Sequence, residues 1–366
     1  MLFGAAHPRR RHDRFVMCLL LFLASGCGVS IAPNAVMTMP EISEDPTPEE
    51  LPRSADNLYV EAKFVSSFDG TSQPLRYALP ITQKQGARPV LIFLHSWSSD
   101  YRLHKQAWLD ETLKQDWIFV EPNFRGPNND PLACGSPAAR ADILDSVDFA
   151  IEKLDADPQR IYLAGASGGG HMAMLMASRH PERFSAVSAW VGISDLRQWY
   201  EDHCEKGQPK RYAQMIAKSC GGSPGDSAEV DAEYLERSPI HWITQLGDLP
   251  LDIAAGVHDG QTGAVPFQHS VRLFNKLAAS RNAELVSEDE MQQLWDHSEL
   301  DVPQPQDTLV DSDYGRDIKM RRHAGPARLT IFEGGHEGLA QAACGWLEQF
   351  ERATQPSFVA VRSAAE

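Results

Sequence analysis

The chain has 366 residues, a formal net charge of −16, and 42% hydrophobic against 23% charged residues. These are the proportions of an ordinary globular enzyme and exclude a fibrous or disordered chain. Its one basic cluster, Arg9, Arg10, Arg11 and Arg14, lies in the first 26 residues, and removing their net +3 leaves −19. A body that acidic repels phosphate backbones, which excludes nucleic acid as a partner.

In chain order, Arg9–Arg14 precede a short apolar run, Phe15–Ala24, and then Ser25, Gly26 and Cys27. A basic segment, an apolar segment and small residues predict a signal peptide over residues 1–26, and a membrane span would need roughly 20 apolar residues. Cys27 directly after small residues resembles the bacterial lipobox, although Ala24 stands where that pattern usually carries Leu. The resemblance implies that Cys27 is acylated. The protein is then exported to the cell envelope and meets the membrane only through its N-terminal lipid. Residues 27–57, rich in Pro and acidic positions, read as a flexible tether.

From Leu58 the pattern changes, and a catalytic domain is expected over 58–355, followed by a tail, 356–366. Tyr59–Phe64 alternates like a strand. Val90–Leu94, Trp117–Val120, Ile161–Ala164, Ala186–Val191, Leu251–Ala255 and Leu329–Phe332 are continuous apolar runs, as buried parallel strands are. Between them Ile143, Leu144, Val147, Ile151 and Leu154 recur at helical spacing, and Gly169–Arg179, Phe267–Ala279 and Gly338–Arg352 also read as helices. Alternating strands and helices predict an α/β fold: a mostly parallel sheet with helices on both faces. Residues 197–248 and 284–326 interrupt the alternation and are predicted excursions, the first helical with loops and the second polar. No internal repeat is present.

Two of the six cysteines, Cys18 and Cys27, belong to the export segment. In an oxidising compartment the other four are expected to pair. Cys204 and Cys220 share one excursion and are the favoured pair, which leaves Cys134 with Cys344; four buried free thiols are the alternative. No cysteine has metal-ligand spacing, and no phosphate loop or cofactor signature occurs, so neither metal nor cofactor is expected.

Gly165-Ala166-Ser167-Gly168-Gly169 fits G-x-S-x-G, follows an apolar run and opens a helix-like stretch, the setting of a nucleophile elbow. A serine hydroxyl needs a base to remove its proton. In this arrangement the partners come later in the order Asp, His. Asp259 follows the strand at 251–255 and His336 the strand at 329–332, both at carboxyl ends where open sheets bind ligands. Asp252 is a rival acid inside its strand, and His258 reads as structural. The backbone N–H groups of Gly168 and Trp97, the latter in His95-Ser96-Trp97 after the strand at 90–94, are the expected oxyanion donors.

With those residues the chain resembles the catalytic domain of the prolyl oligopeptidase family within the α/β-hydrolases. The likeness rests on Asp157–Gly169, on Val265-Pro266 followed by Gln268 and Ser270, and on Gly335-His336. It differs in three ways. Five residues separate Asp259 from Val265 where the family usually has two, and Ser96 replaces the Gly common in the His-Gly loop of related hydrolases. Only about 30 mature residues precede the domain, too few for the propeller that gates oligopeptidases. The resemblance implies a serine hydrolase acting through an acyl-enzyme on a small ester, the favoured substrate, or a short peptide. Arg125 is the one candidate for holding a peptide terminus, and a structural salt bridge is its competing role. A noncatalytic surface-binding lipoprotein on the same scaffold is the remaining alternative.

Overall fold

The computed structural model describes residues 58–82 and 86–352. The predicted signal segment, Cys27, the tether and the tail lie outside the described residues.

The sheet opens with an antiparallel hairpin, β1 (Val60–Val65) and β2 (Ser72–Ala78), with Val60 opposite Tyr77. Next come β3 (Arg88–Leu94), α1 (Gln106–Lys114), β4 (Ile118–Pro122), α2 (Pro137–Leu154), β5 (Ala156–Ala166), α3 (Gly168–Arg179) and β6 (Ala186–Trp190). The first excursion holds α4 (Leu196–Asp202), a two-residue hairpin of β7 (Cys204–Glu205) and β8 (Gln208–Pro209), α5 (Arg211–Cys220) and α6 (Ala228–Glu236). The chain returns through β9 (Leu251–Gly256), α7 (Gln268–Ser280), α8 (Glu288–His297), β10 (Ile318–Ala324), β11 (Ala327–Phe332) and α9 (Ala340–Leu347).

Nine strands form one sheet in the order β1-β2-β4-β3-β5-β6-β9-β11-β10. The run from β4 to β11 is parallel, and β1, β2 and β10 are antiparallel at the two margins. Every residue of β4, β6, β9 and β11 is buried. A strand buried at consecutive positions is covered on both faces, so these apolar runs need helices above and below them. The register also aligns strand ends: Leu94 lies beside Gly165, Ala166 beside Trp190, and Gly256 beside Phe332. The loops that begin at His95, Ser167, Val191, Val257 and Glu333 therefore leave the sheet at one edge.

The polar reading of 284–326 needs correcting. Its last part is β10, paired with β11 from Ile318 opposite Phe332 to Ala324 opposite Ala327. The sequence Ile-Lys-Met-Arg-Arg-His-Ala reads as solvated, but Arg321 and Arg322 are buried. Arg322 bonds Asp307 and, at 2.6 Å, Glu290, while Arg321 bonds Asp311 at 3.0 Å. Burying a guanidinium is tolerable when carboxylates surround it.

The expected disulfides are corrected as well: Cys134, Cys204, Cys220 and Cys344 are all free thiols. Cys204 sits half-buried in the β7–β8 hairpin, whereas Cys220 ends α5 and turns into a small core with Cys134, Trp97, Trp199 and Tyr234. Cys344, on α9, belongs to the main core instead. Burial pushes the Cys134 thiol up to about 11 and that of Cys344 up to about 12, so neither is a thiolate at neutral pH.

Candidate active site

Ser167 sits between β5 and α3 at φ 60°, ψ −119°, with its N–H donated to the Trp190 carbonyl at 2.9 Å. Glycine is a steric requirement of this turn. A Cβ on Gly169 would fall on the carbonyl oxygen of Leu94, and one on Gly168 would fall on the backbone nitrogen of Trp97. The second contact also locates the Trp97 and Gly168 amides side by side next to Ser167. Neither N–H has an acceptor among the described residues.

The acid and the base arrive on neighbouring parallel strands. The Val257 N–H donates to the Phe332 carbonyl at 2.9 Å and the His258 N–H to that of Gly334 at 3.0 Å, which binds the two loops into one unit. Asp259 is fully buried. Its Oδ2 accepts a hydrogen bond from His336 Nδ1 at 2.8 Å, and its Oδ1 accepts from the N–H groups of Gly260 at 3.0 Å and Val265 at 3.3 Å. The longer acid loop thus folds back onto its own carboxylate. It does so through Gly263, where a Cβ would meet both Asp259 Oδ1 and, at 2.6 Å, His336 Cβ.

Ser167 and His336 line one cavity of about 300 Å³, with Ser96, Trp108, Val191 and the first residues of α1. A larger cavity, about 550 Å³, lies over residues 299–319 and includes none of Ser167, Asp259 and His336, so size does not mark the site here. Asp252 is spent within the sheet, bonded to Arg328 and Ser188 at 2.8 Å each. His258 bonds Glu333 at 2.7 Å on the surface. Arg125 is tied to Asp142 and Asp69 at 2.7 Å each and to Ser66 at 2.9 Å, which leaves it no freedom to hold a peptide terminus. A second serine–histidine–aspartate contact exists: His269 stands 3.3 Å from Ser194 Oγ and 3.2 Å from Asp202. Ser194 and His269 are both buried, so this is an internal link between α4 and α7.

Two contributors were not singled out from the sequence. Trp199 of α4 packs edge-on against Trp97, centroids 4.6 Å apart, and donates Nε1–H to the Ala264 carbonyl at 2.8 Å. One side chain of the first excursion thereby braces both the oxyanion loop and the acid loop. Its available signal was an aromatic residue within a polar stretch. Val191, at φ 45°, walls the cavity just past β6, and nothing in its sequence setting marks it. Among the described residues no group of three or more His, Cys, Asp or Glu could hold a metal ion, and no helix is long and apolar enough to cross a membrane.

Residues 138–293 match the model of the prolyl oligopeptidase family, a stretch that includes Ser167 and Asp259 but ends before His336. A Pyrococcus horikoshii acylaminoacyl peptidase superposes with a TM-score of 0.54 over 82% of this chain and 43% of its own, at 16% identity. The family match covers under half of the chain, and the fold is that of the α/β-hydrolases. The S-formylglutathione hydrolase of Staphylococcus aureus superposes at a TM-score of 0.52 over 79% of this chain and 98% of its own, at 13% identity. Among curated proteins, feruloyl esterase B of Neurospora crassa is 28% identical over 206 residues, 52% of this chain and 62% of the relative. The chain thus spans less than two thirds of that relative's length.

Proposed function

We propose that this α/β-hydrolase cleaves carboxylic esters by acyl transfer, with Ser167 as nucleophile, His336 as general base and Asp259 orienting it. The observation that carries this reading is the 2.8 Å bond from His336 to the buried Asp259, on a cavity that Ser167 shares. With Nδ1–H given to Asp259, the lone pair of the imidazole is on Nε2. Ser167 Oγ attacks the ester carbon as Nε2 takes its proton. The resulting oxyanion is received by the N–H groups of Gly168 and Trp97, each donor worth about 3–4 kcal/mol in such sites. Collapse breaks the bond to the leaving alcohol, which takes the proton from His336, and water then releases the acid by the same steps.

The similarity to a feruloyl esterase supports an ester. The family model supports a peptide bond, which the same residues would cleave by protonating a leaving amine. The commitment of Arg125 to Asp69 and Asp142 favours the ester. We further propose that the N-terminal segment exports the protein and that Cys27 is acylated. Metabolic labelling with a radioactive fatty acid should mark the wild type and not Cys27→Ala.

The test of the chemistry is labelling with a fluorescent fluorophosphonate. Wild type should be labelled and Ser167→Ala should not. A folded wild type that takes no label would reject an activated serine and favour the surface-binding alternative.

A further inference from the structure

The cavity over Ser167 is also lined by a basic residue, Lys105, that the proposed reaction does not use. Lys105 lines it at the N-cap of α1, held there by N–H donations from Trp108 at 3.0 Å and Leu109 at 3.1 Å to its carbonyl. The chain carries 50 acidic residues against 34 Lys and Arg, so carboxylate partners are plentiful. Yet among the described residues no carboxylate forms an ion pair with Lys105 within 4.0 Å. The buried Glu121, within electrostatic reach of it, already holds Arg76 at 2.7 Å. Glu337, the acid among the residues lining the cavity, is occupied by Arg316 at 2.7 Å. The first turn of α1 has no acidic residue and no side-chain cap, so its end of the helix dipole adds to the lysine's charge. His104, the residue before, also lines the cavity, and its buried Nδ1 has no hydrogen-bond partner.

A cation without a carboxylate partner on the cavity of a reactive serine attracts a substrate anion. Resting on the serine-hydrolase reading above, we propose that Lys105 selects esters bearing a carboxylate, which its ammonium receives while Ser167 attacks the ester carbonyl. A carboxylate matches this site as a single compact acceptor for a single ammonium.

The test uses two aryl acetates that differ in charge across the ring from the scissile bond, 4-acetoxybenzoate and the neutral 4-acetoxybenzamide. The quantity read is the ratio of kcat/KM for the anionic to the neutral ester. This comparison cancels any general damage to the enzyme. Lys105→Met should lower the ratio about tenfold, as expected for one charged hydrogen bond. Lys105→Arg should restore most of it, and added salt should lower it in wild type. An unchanged ratio in Lys105→Met would overturn the proposal while leaving the hydrolase reading intact. Should wild type act on neither ester any faster than Ser167→Ala, the hydrolase reading would fall first.

Discussion

At the scale of single residues, the site depends on what holds Asp259 in place. That carboxylate receives three donors from a buried position, and one face of His336 is committed to it. Asp259→Asn should keep the fold but present an N–H where His336 needs an acceptor, lowering kcat by about 10⁴. Circular dichroism and ester turnover measured together check this. Gly263→Ala is a sharper probe, because its methyl would push on Asp259 and His336 at once. It should lower kcat at least tenfold with a small change in melting temperature, since displacing a base by about 1 Å costs on the order of 100-fold. These candidate positions were singled out by order and spacing: the elbow glycines, and an acid and a histidine each just past an apolar run. Val191 was not, because a backbone conformation enforced by neighbouring strands leaves no local trace in a valine.

Among elements, α4 and α3 govern the site from behind. Trp199→Ala would remove the brace between the loops at 95–97 and 260–265. It should destabilise the protein by about 3–5 kcal/mol, the usual effect of truncating a buried tryptophan, and slow ester turnover further; denaturant titration beside kinetics measures both. On α3, His171 donates Nε2–H to the Arg237 carbonyl at 2.8 Å and keeps Nδ1 buried without a partner. Burial lowers its pKa from 6.5 to about 4. The unfolded chain therefore takes up a proton near pH 6.5 that the folded chain refuses until about pH 4. Stability is full above pH 6.5 and falls by ~3 kcal/mol as pH drops toward 4. His171→Gln should flatten that slope in urea titrations across this range, whatever it does to stability at neutral pH. Two strands that sequence reading missed share one cause. In β2, Arg76 is buried against Glu121, and in β10, Arg321 and Arg322 are buried against Asp311, Asp307 and Glu290. The partners are 10 or more residues away along the chain, so hydrophobic periodicity could not reveal that these charges would be neutralised. The apolar runs of β3, β4, β5, β6, β9 and β11 were legible directly, although β4 and β9 each bury one paired carboxylate, Glu121 and Asp252.

For the molecule as a whole, burial and covalent state set the expected reactivity. Without crosslinks among the described residues, native alkylation should modify Cys204 and spare Cys134, Cys220 and Cys344. Denaturation without reductant should then expose all four to the reagent, as peptide mass spectrometry would show. The parallel sheet was legible because its strands repeat one simple pattern. The cysteine arrangement was not, since it depends on which of two separate cores each helix faces. Backbone strain is also unevenly distributed. Residues in the left-handed region include Asp116, Asp155, Asn282 and Ser298, types that tolerate it in turns, but also Phe124, Arg125, Ser167 and Val191. These last four lie just past the carboxyl ends of β4, β5 and β6, where the candidate site is. Each such conformation costs about 1–3 kcal/mol and persists only while its surroundings enforce it. Warming should relax this rim before it melts the sheet. Catalytic output would then fade at temperatures where far-ultraviolet dichroism still reports a native protein, and Val191→Gly, by easing one strained position, should narrow that interval.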